Sequence, residues 1–245
     1  MSDRFQILLV YDGTEFHGSQ FQTELRTVQG ELEKALTKIG WLGKTALFAG
    51  RTDAGVHAAG QVVAFDMKWE HTENELNRAI NAVLPQDISA VKIHRIRHDF
   101  HPRYEAVSRK YHYQIFTSPV RDPLQERFAW RIWPELDVQL MENASQLLLG
   151  IHDFGALGKP HQPGGSTIRE ILKTAWIKDG NKLVFEIVGN AFLYHMVRRI
   201  VMVLVKIGKG KESVEMVNDY LENPSGEPAQ GLAPAHGLTL IEVHY

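Results

Sequence analysis

Along the first hundred residues the apolar positions switch between a two-residue period and a near-four-residue period, and the switches mark out the elements. The apolar run from Phe5 to Val10 predicts a buried strand. Thr27 is placed to cap a helix, because Val28, Leu32, Ala35, Leu36 and Ile39 recur at helical spacing until Gly40 stops them. Thr45 to Ala49 predicts a second strand, and Gln61 to Met67 alternates with Val63, Phe65 and Met67 on one face. Thr72 and Glu75 form a capping box ahead of a helix built on Leu76, Ala79, Ile80 and Val83, which Pro85 ends. Ile88 to Ile96 predicts a fourth strand. The resulting order, β-α-β-β-α-β, is that of the split βαβ or ferredoxin-like unit.

The second half repeats this order less cleanly. Strands are predicted at Lys110 to Phe116, Ile168 to Ile177 and Lys182 to Val188, helices at Val138 to Leu149 and Phe192 to Ile207, and a closing strand at Leu238 to Val243. Pro119, Pro123 and Pro134 mark the segment 118–135 as an extended excursion, and 158–165 is a Gly/Pro-rich loop. No residue-level repeat links the halves, so any duplication is of architecture. The expected fold is α+β: two ferredoxin-like halves, 1–106 and 107–245, joined into one mainly antiparallel sheet with the active-site cleft at their junction.

Composition narrows the chemistry. With 245 residues, 44% of them hydrophobic, the chain is ordinary globular material. It has no cysteine, which removes disulfides, thiolate metal sites and cysteine nucleophiles. No apolar stretch reaches the roughly 18 residues of a membrane span, so a soluble cytoplasmic protein is expected. The net charge of −2 argues against a uniformly basic nucleic-acid binder. The distribution is uneven, however. From Lys92 to Lys110 there are six Lys or Arg against two acids, and from Leu193 to Lys211 five and no acid. Each segment alone reads most simply as a solvated face, and together they would line one cleft and cradle phosphates.

The segment Ala49-Gly-Arg-Thr-Asp-Ala-Gly-Val-His-Ala58 is too long for a two-residue hairpin and polar at its centre, so it reads as a loop. Glycines on both sides of Asp53 let its carboxylate approach a ligand closely, with Arg51 two residues before it. On spacing alone, an Asx-turn in which Asp53 bonds its own backbone is as good a reading. His17 and His57 stand singly, and no His-x-His or His-x-x-x-His pattern supports a metal.

Eight strings widen the view. Tyr-Asp-Gly-Thr-Glu-Phe-His-Gly-Ser-Gln (11–20), Thr-Val-Gln-Gly-Glu-Leu-Glu (27–33), Gly-Arg-Thr-Asp-Ala-Gly-Val-His-Ala (50–58), Leu-Pro-Gln-Asp-Ile (84–88), Phe-His-Pro-Arg-Tyr (100–104), His-Asp-Phe (152–154), Asn-Ala-Phe-Leu-Tyr-His-Met-Val-Arg (190–198) and Gly-Leu-Thr-Leu-Ile-Glu-Val-His-Tyr (237–245) run in order across nearly the whole chain. Together they resemble the TruA family of tRNA pseudouridine synthases. The resemblance implies isomerisation of uridine in the anticodon stem-loop of tRNA, a homodimer, and no metal or cofactor. It implies that Asp53 is the catalytic aspartate, that Arg51 attends the flipped nucleotide and that Tyr111 stacks on the target uracil and serves as a base. It also implies that Arg198 pairs with the aspartate and that Leu238 lies against the base. Met202, where glycine is usual, and Ala156-Leu157, where a Ser-Phe-like pair is common, depart from the family and bear on local packing.

Two other readings remain open at this stage. A ferredoxin-like unit with basic edges can be a non-catalytic RNA-binding module, although no RNP string is present. A metal-dependent hydrolase using Asp12, Asp53 and histidines lacks ligand spacing.

Overall fold

A computed structural model describes residues 2–245. The chain divides into two units, residues up to Val107 with Thr239–Tyr245, and Ser108–Leu238.

The first unit begins with strand β1, Asp3–Tyr11, whose alternate residues Phe5, Ile7, Leu9 and Tyr11 are buried. Helix α1 follows at Val28–Lys38; the Thr27 side chain accepts from Gly30 N, and Val28, Leu32, Ala35 and Leu36 form its buried stripe. β2 is only Leu47–Phe48, shorter than Thr45 to Ala49 predicts. The cause is local, because Glu33 of α1 accepts from Ala46 N at 2.9 Å and removes that donor from any ladder. β3, His57–Met67, starts four residues earlier than Gln61. α2, Glu73–Val83, carries the full Thr72–Glu75 capping box, and β4 is Ile88–Ile96 as predicted.

β1 runs between β3 and β4, antiparallel to both, with Ile7 opposite Val63 on one side and Ile93 on the other. β2 pairs antiparallel with the far edge of β3 at Ala64 and Val63. The order β4-β1-β3-β2 and the two helices make this unit ferredoxin-like. The last strand, β10, Leu238–His244, pairs parallel with the start of β3, placing Thr239 opposite His57 and Leu240 opposite Ala58. This pairing extends β3 into a segment that its polar sequence marks as loop.

In the second unit β5, Ser108–Thr117, pairs antiparallel with β9, Lys182–Gly189, which pairs antiparallel with β8, Ile168–Asp179. Helix α3, Val138–Gln146, lies between β5 and β8 in sequence, and α4, Met196–Gly208, follows β9. The predicted order is therefore present, with three additions. β6, Trp130–Ile132, pairs parallel with β5 inside the proline-rich excursion; β7, Gly150–Asp153, edges β8; and α5 is Met216–Glu222. Three- and four-residue strands are too short for alternation to reveal. The sheet pairings are mainly antiparallel, so the α+β class expected from the sequence is the one observed.

The two departures from the family pattern are absorbed by packing. Ala156 and Leu157 are fully buried, and Ala156 O accepts from Ala229 N at 3.0 Å. Met202 lies over Gly231, where a Cβ would come within 3.2 Å of its Cγ.

Candidate active site

The loop before β3 is held in place by buried polar groups as well as by buried Ala49 and Val56. Gln61, fully buried on β3, donates from Nε2 to Gly50 O at 2.9 Å and accepts from Gly50 N at Oε1, 3.3 Å. The hydroxyls of Tyr11 and Thr52 lie 2.9 Å apart, and Gln61 Nε2 donates to the Tyr11 oxygen at 3.4 Å. Burial pushes the Tyr11 phenol up to about 12, so it stays protonated and works as a hydrogen-bonding strut. Ser19 completes the frame, donating from its N to Thr52 O at 3.0 Å and accepting from Thr52 N at Oγ, 2.8 Å. The sequence reasoning missed Tyr11, Ser19, Thr52 and Gln61 as positioning residues. Only Gln61 carried a signal, because it shares the alternating face of Val63, Phe65 and Met67, where an amide needs partners.

Within this frame the chain alternates in exposure: Arg51 is exposed, Thr52 buried and Asp53 half-buried. The turn after Asp53 is closed by the main chain, with Val56 N donating to Asp53 O at 3.2 Å and Gly55 at φ 77°. A positive φ at the third position is what such a turn needs, and glycine supplies it. The main chain alone therefore closes this turn. Gly55 N donates to Phe16 O at 3.2 Å, tying the turn to the 12–19 loop.

His57 and Asp12 have structural work in that loop. Gly13 N donates to His57 Nδ1 at 2.9 Å, so that nitrogen carries no proton. The 3.2 Å approach of Asp12 Oδ1 to the same nitrogen is therefore proximity and not a hydrogen bond. Asp12 Oδ1 accepts from Thr14 N at 3.0 Å and Thr14 Oγ1 at 2.6 Å, a local turn. These engagements disfavour Asp12 as a metal ligand.

The other three sequence-predicted residues belong to the second unit. Tyr111 and Tyr113 share a face of β5 but differ in surroundings. Tyr113 is fully buried, its phenol donates to Pro234 O at 2.8 Å, and burial drives its pKa far up. Tyr111 packs edge-on against Phe192, ring centroids 5.2 Å apart. Leu238 is buried at the start of β10.

Arg198 lies in a different part of its helix than the sequence predicts. His195 adopts a left-handed backbone, φ 64°, so α4 begins at Met196 and not near Phe192. Arg198 and Arg199 consequently fall in the first turn, which contains no acid. Cations at a helix N-terminus oppose the helix dipole at a cost of about 0.3–1 kcal/mol each, an arrangement that favours an incoming anion. Arg198 Nε donates to Ala233 O at 2.8 Å, and Ala233 N donates back to Arg198 O at 3.1 Å, which fixes the side chain's root. Burial lowers the pKa of Arg199, whose Nε is buried without a partner among the described residues.

The basic segments are less available than their sequence suggests. Arg95 pairs with Asp3 at 3.0 Å, Arg97 contacts Asp99 and Glu105, and Lys206 pairs with Glu212 at 2.9 Å. For Arg95 and Arg97, both exposed, the solvated-face reading holds, whereas Lys206 is half-buried in its pair.

The Gln61 frame makes a direct prediction. Gln61→Ala removes the side-chain partner of Gly50 N and O in a half-buried site, at about 1–3 kcal/mol per group left unsatisfied. Thermal melts are expected to show destabilisation of about 2–4 kcal/mol; an unchanged melting temperature would remove Gln61 from its positioning role.

Comparison with known proteins bears on the whole chain. A family profile described as tRNA pseudouridine synthase matches residues 8–105 and 144–245. A Fervidobacterium nodosum protein named tRNA pseudouridine synthase A is 45% identical over 243 residues, covering 98% of this chain and 98% of its own length. A protein of the same name from Halalkalibacterium halodurans is 40% identical over 236 residues, 96% of this chain and 90% of its own. Another from Francisella tularensis subsp. novicida is 38% identical over 242 residues, 98% of this chain and 93% of its own.

Proposed function

The chain belongs to the tRNA pseudouridine synthase family, and from that premise we propose that it isomerises uridine to pseudouridine in the anticodon stem-loop of tRNA with Asp53 as the reacting carboxylate. The observation that carries the assignment of Asp53 is its place at the head of a turn closed by main-chain atoms and Gly55, which fixes the backbone that presents the half-buried carboxylate.

The reaction breaks the N-glycosidic bond, turns the uracil and rejoins it to the same sugar through C5. It is redox-neutral, and atoms balance without a co-reactant: the C5 proton leaves and N1 gains one. Asp53 acts as nucleophile toward the anomeric carbon, as nucleophile toward the uracil ring, or as the base of an elimination. All three routes start from an ionised carboxylate. We assign Arg198 the stabilisation of that charge, an anion-directed role that its place in the first turn of α4 supports. The target base must leave its stack at a cost of about a few kcal/mol. Tyr111 supplies a stacking face worth about 1–3 kcal/mol and a phenol to take the C5 proton, with Leu238 as apolar wall and Arg51 on the nucleotide.

Tritium release tests this reading. tRNA labelled at uracil C5 is expected to lose its label to water with the wild-type protein, with and without EDTA, and to keep it with Asp53→Ala. Wild-type release no greater than that of Asp53→Ala would leave the non-catalytic RNA-binding module as the better account.

The working form in this proposal is a cytoplasmic homodimer. Ile151 of edge strand β7 and Ile168 of β8 are exposed on one face of their ladder, a surface that a second copy would cover. No helix of the described residues is long and apolar enough to cross a membrane. A solution mass of two chains is expected at working concentration, and a mass of one chain would remove the dimer.

A further inference from the structure

Beside the Asp53 loop the first unit opens into a cavity of about 180 Å3, whose lining includes Gln20, Gln29, Arg51, His101, Arg103 and Tyr104. None of the described residues lining it is acidic. Arg51 and Arg103 are close enough to act on each other. Partial burial first, and then the charge of Arg103, hold the Arg51 guanidinium below the usual arginine range. His101 is likewise pushed down, first by burial and further by Arg4 and Arg103. The lining thus presents two guanidiniums and no carboxylate to the cavity, a surface suited to an anion.

The aromatic side of the cavity is equally specific. Tyr104 is 79% exposed, yet its ring is not loose. It lies 4.2 Å from the His101 imidazole at an interplanar angle of 33°. His101 Nδ1 accepts from Arg103 N at 3.2 Å and Tyr104 N at 3.4 Å, while His101 N donates to Glu105 Oε1 at 2.7 Å, so the turn that carries the ring is braced. A flat, exposed, pre-oriented ring next to two guanidiniums matches the chemistry of a nucleotide: phosphate to the arginines, base to the ring. Gly50 leaves space on the same side, since a Cβ there would meet nothing within 4 Å.

We infer that this cavity is a second nucleotide subsite, in which Arg51 and Arg103 hold a phosphodiester of unstacked RNA and Tyr104 stacks the base of a nucleotide flanking the target. The inference rests on the reading of the chain as a tRNA-modifying enzyme. The subsite gives affinity and register without base identity, because every base presents a π-face. It also gives Arg51, two residues before Asp53, a phosphate beside the target nucleotide as its partner.

The test uses the full-length protein and an unmodified tRNA transcript, with Kd measured by fluorescence anisotropy across a salt series and turnover by tritium release. Tyr104→Leu is expected to weaken binding by about 5-fold or more, with Tyr104→Trp retaining near wild-type affinity, since only the stacking face is needed. Arg103→Gln is expected to lower the slope of log K against log salt by about one, the signature of one lost phosphate contact. In both variants the loss falls on Kd and KM more than on kcat. Tyr104 is exposed, so its variants should melt with wild type and report binding alone. If wild type turns over tRNA while Tyr104→Leu and Arg103→Gln match it in Kd and salt slope, the subsite is overturned and the enzymatic reading stands. If wild type neither binds nor turns over tRNA, both fall together.

Discussion

Asp53→Asn is expected to reduce tritium release from C5-labelled tRNA by about 10^4-fold or more, while tRNA affinity changes only a few-fold. The substitution keeps shape and hydrogen-bonding reach and removes the negative charge and the nucleophilic oxygen, on which all three candidate routes depend. The turn should survive, because Val56 N and Gly55 close it without the side chain. Loss of rate with retained affinity is the pattern of a group that acts in the transition state and contributes little to ground-state binding. A variant that lost both in proportion would mark Asp53 as part of the loop's frame. Arg51 and Tyr111, assigned to the nucleotide, should shift KM as well as rate.

Gly13→Ala is expected to be the most damaging conservative change in the first unit. A Cβ at residue 13 would lie 2.0 Å from the carbonyl oxygen of Val56 and 2.5 Å from its carbon. Neither partner can yield cheaply. Val56 N holds the Asp53 turn, and Gly13 N holds His57, the first residue of β3. The strain is expected to cost about 3 kcal/mol or more, which for a chain of this size lowers the melting temperature by about 6–12 °C. Activity should fall further than stability, because relief of the clash displaces the turn that carries Asp53. Gly40→Ala is the matching control. Gly40 has φ +94° but open space around it, so its cost is confined to the left-handed backbone, about 1–2 kcal/mol, with activity retained. Equal effects of the two substitutions on activity would contradict the coupling between the 12–19 loop and the Asp53 turn.

Legibility in the sequence followed the length and regularity of each element. α1, α2, β4 and the Thr72–Glu75 capping box are local devices, written in four to eleven consecutive residues, and the structure reproduces them. β3 defeated the pattern at His57, because its first residues are strand through pairing with β10, 182 positions away between His57 and Thr239. β2 shrank because a helix side chain took one of its donors. The start of α4 was misread because Phe192 and Leu193 extend the apolar period backward, and nothing in that period signals the left-handed His195. That error hid the first-turn position of Arg198. At the loop, the residue types around Asp53 were visible, but the frame of Tyr11, Ser19, Thr52 and Gln61 was not. Its members come from four separated positions, and only the fold brings them together.

The central claim, that this chain makes pseudouridine in tRNA through Asp53, is tested most directly by nucleoside analysis of the product. Unmodified tRNA incubated with the purified protein should yield pseudouridine within the anticodon stem-loop, and the same tRNA incubated with Asp53→Asn should yield none. Absence of pseudouridine after incubation with wild type, or its formation by Asp53→Asn at the wild-type rate, would contradict the account.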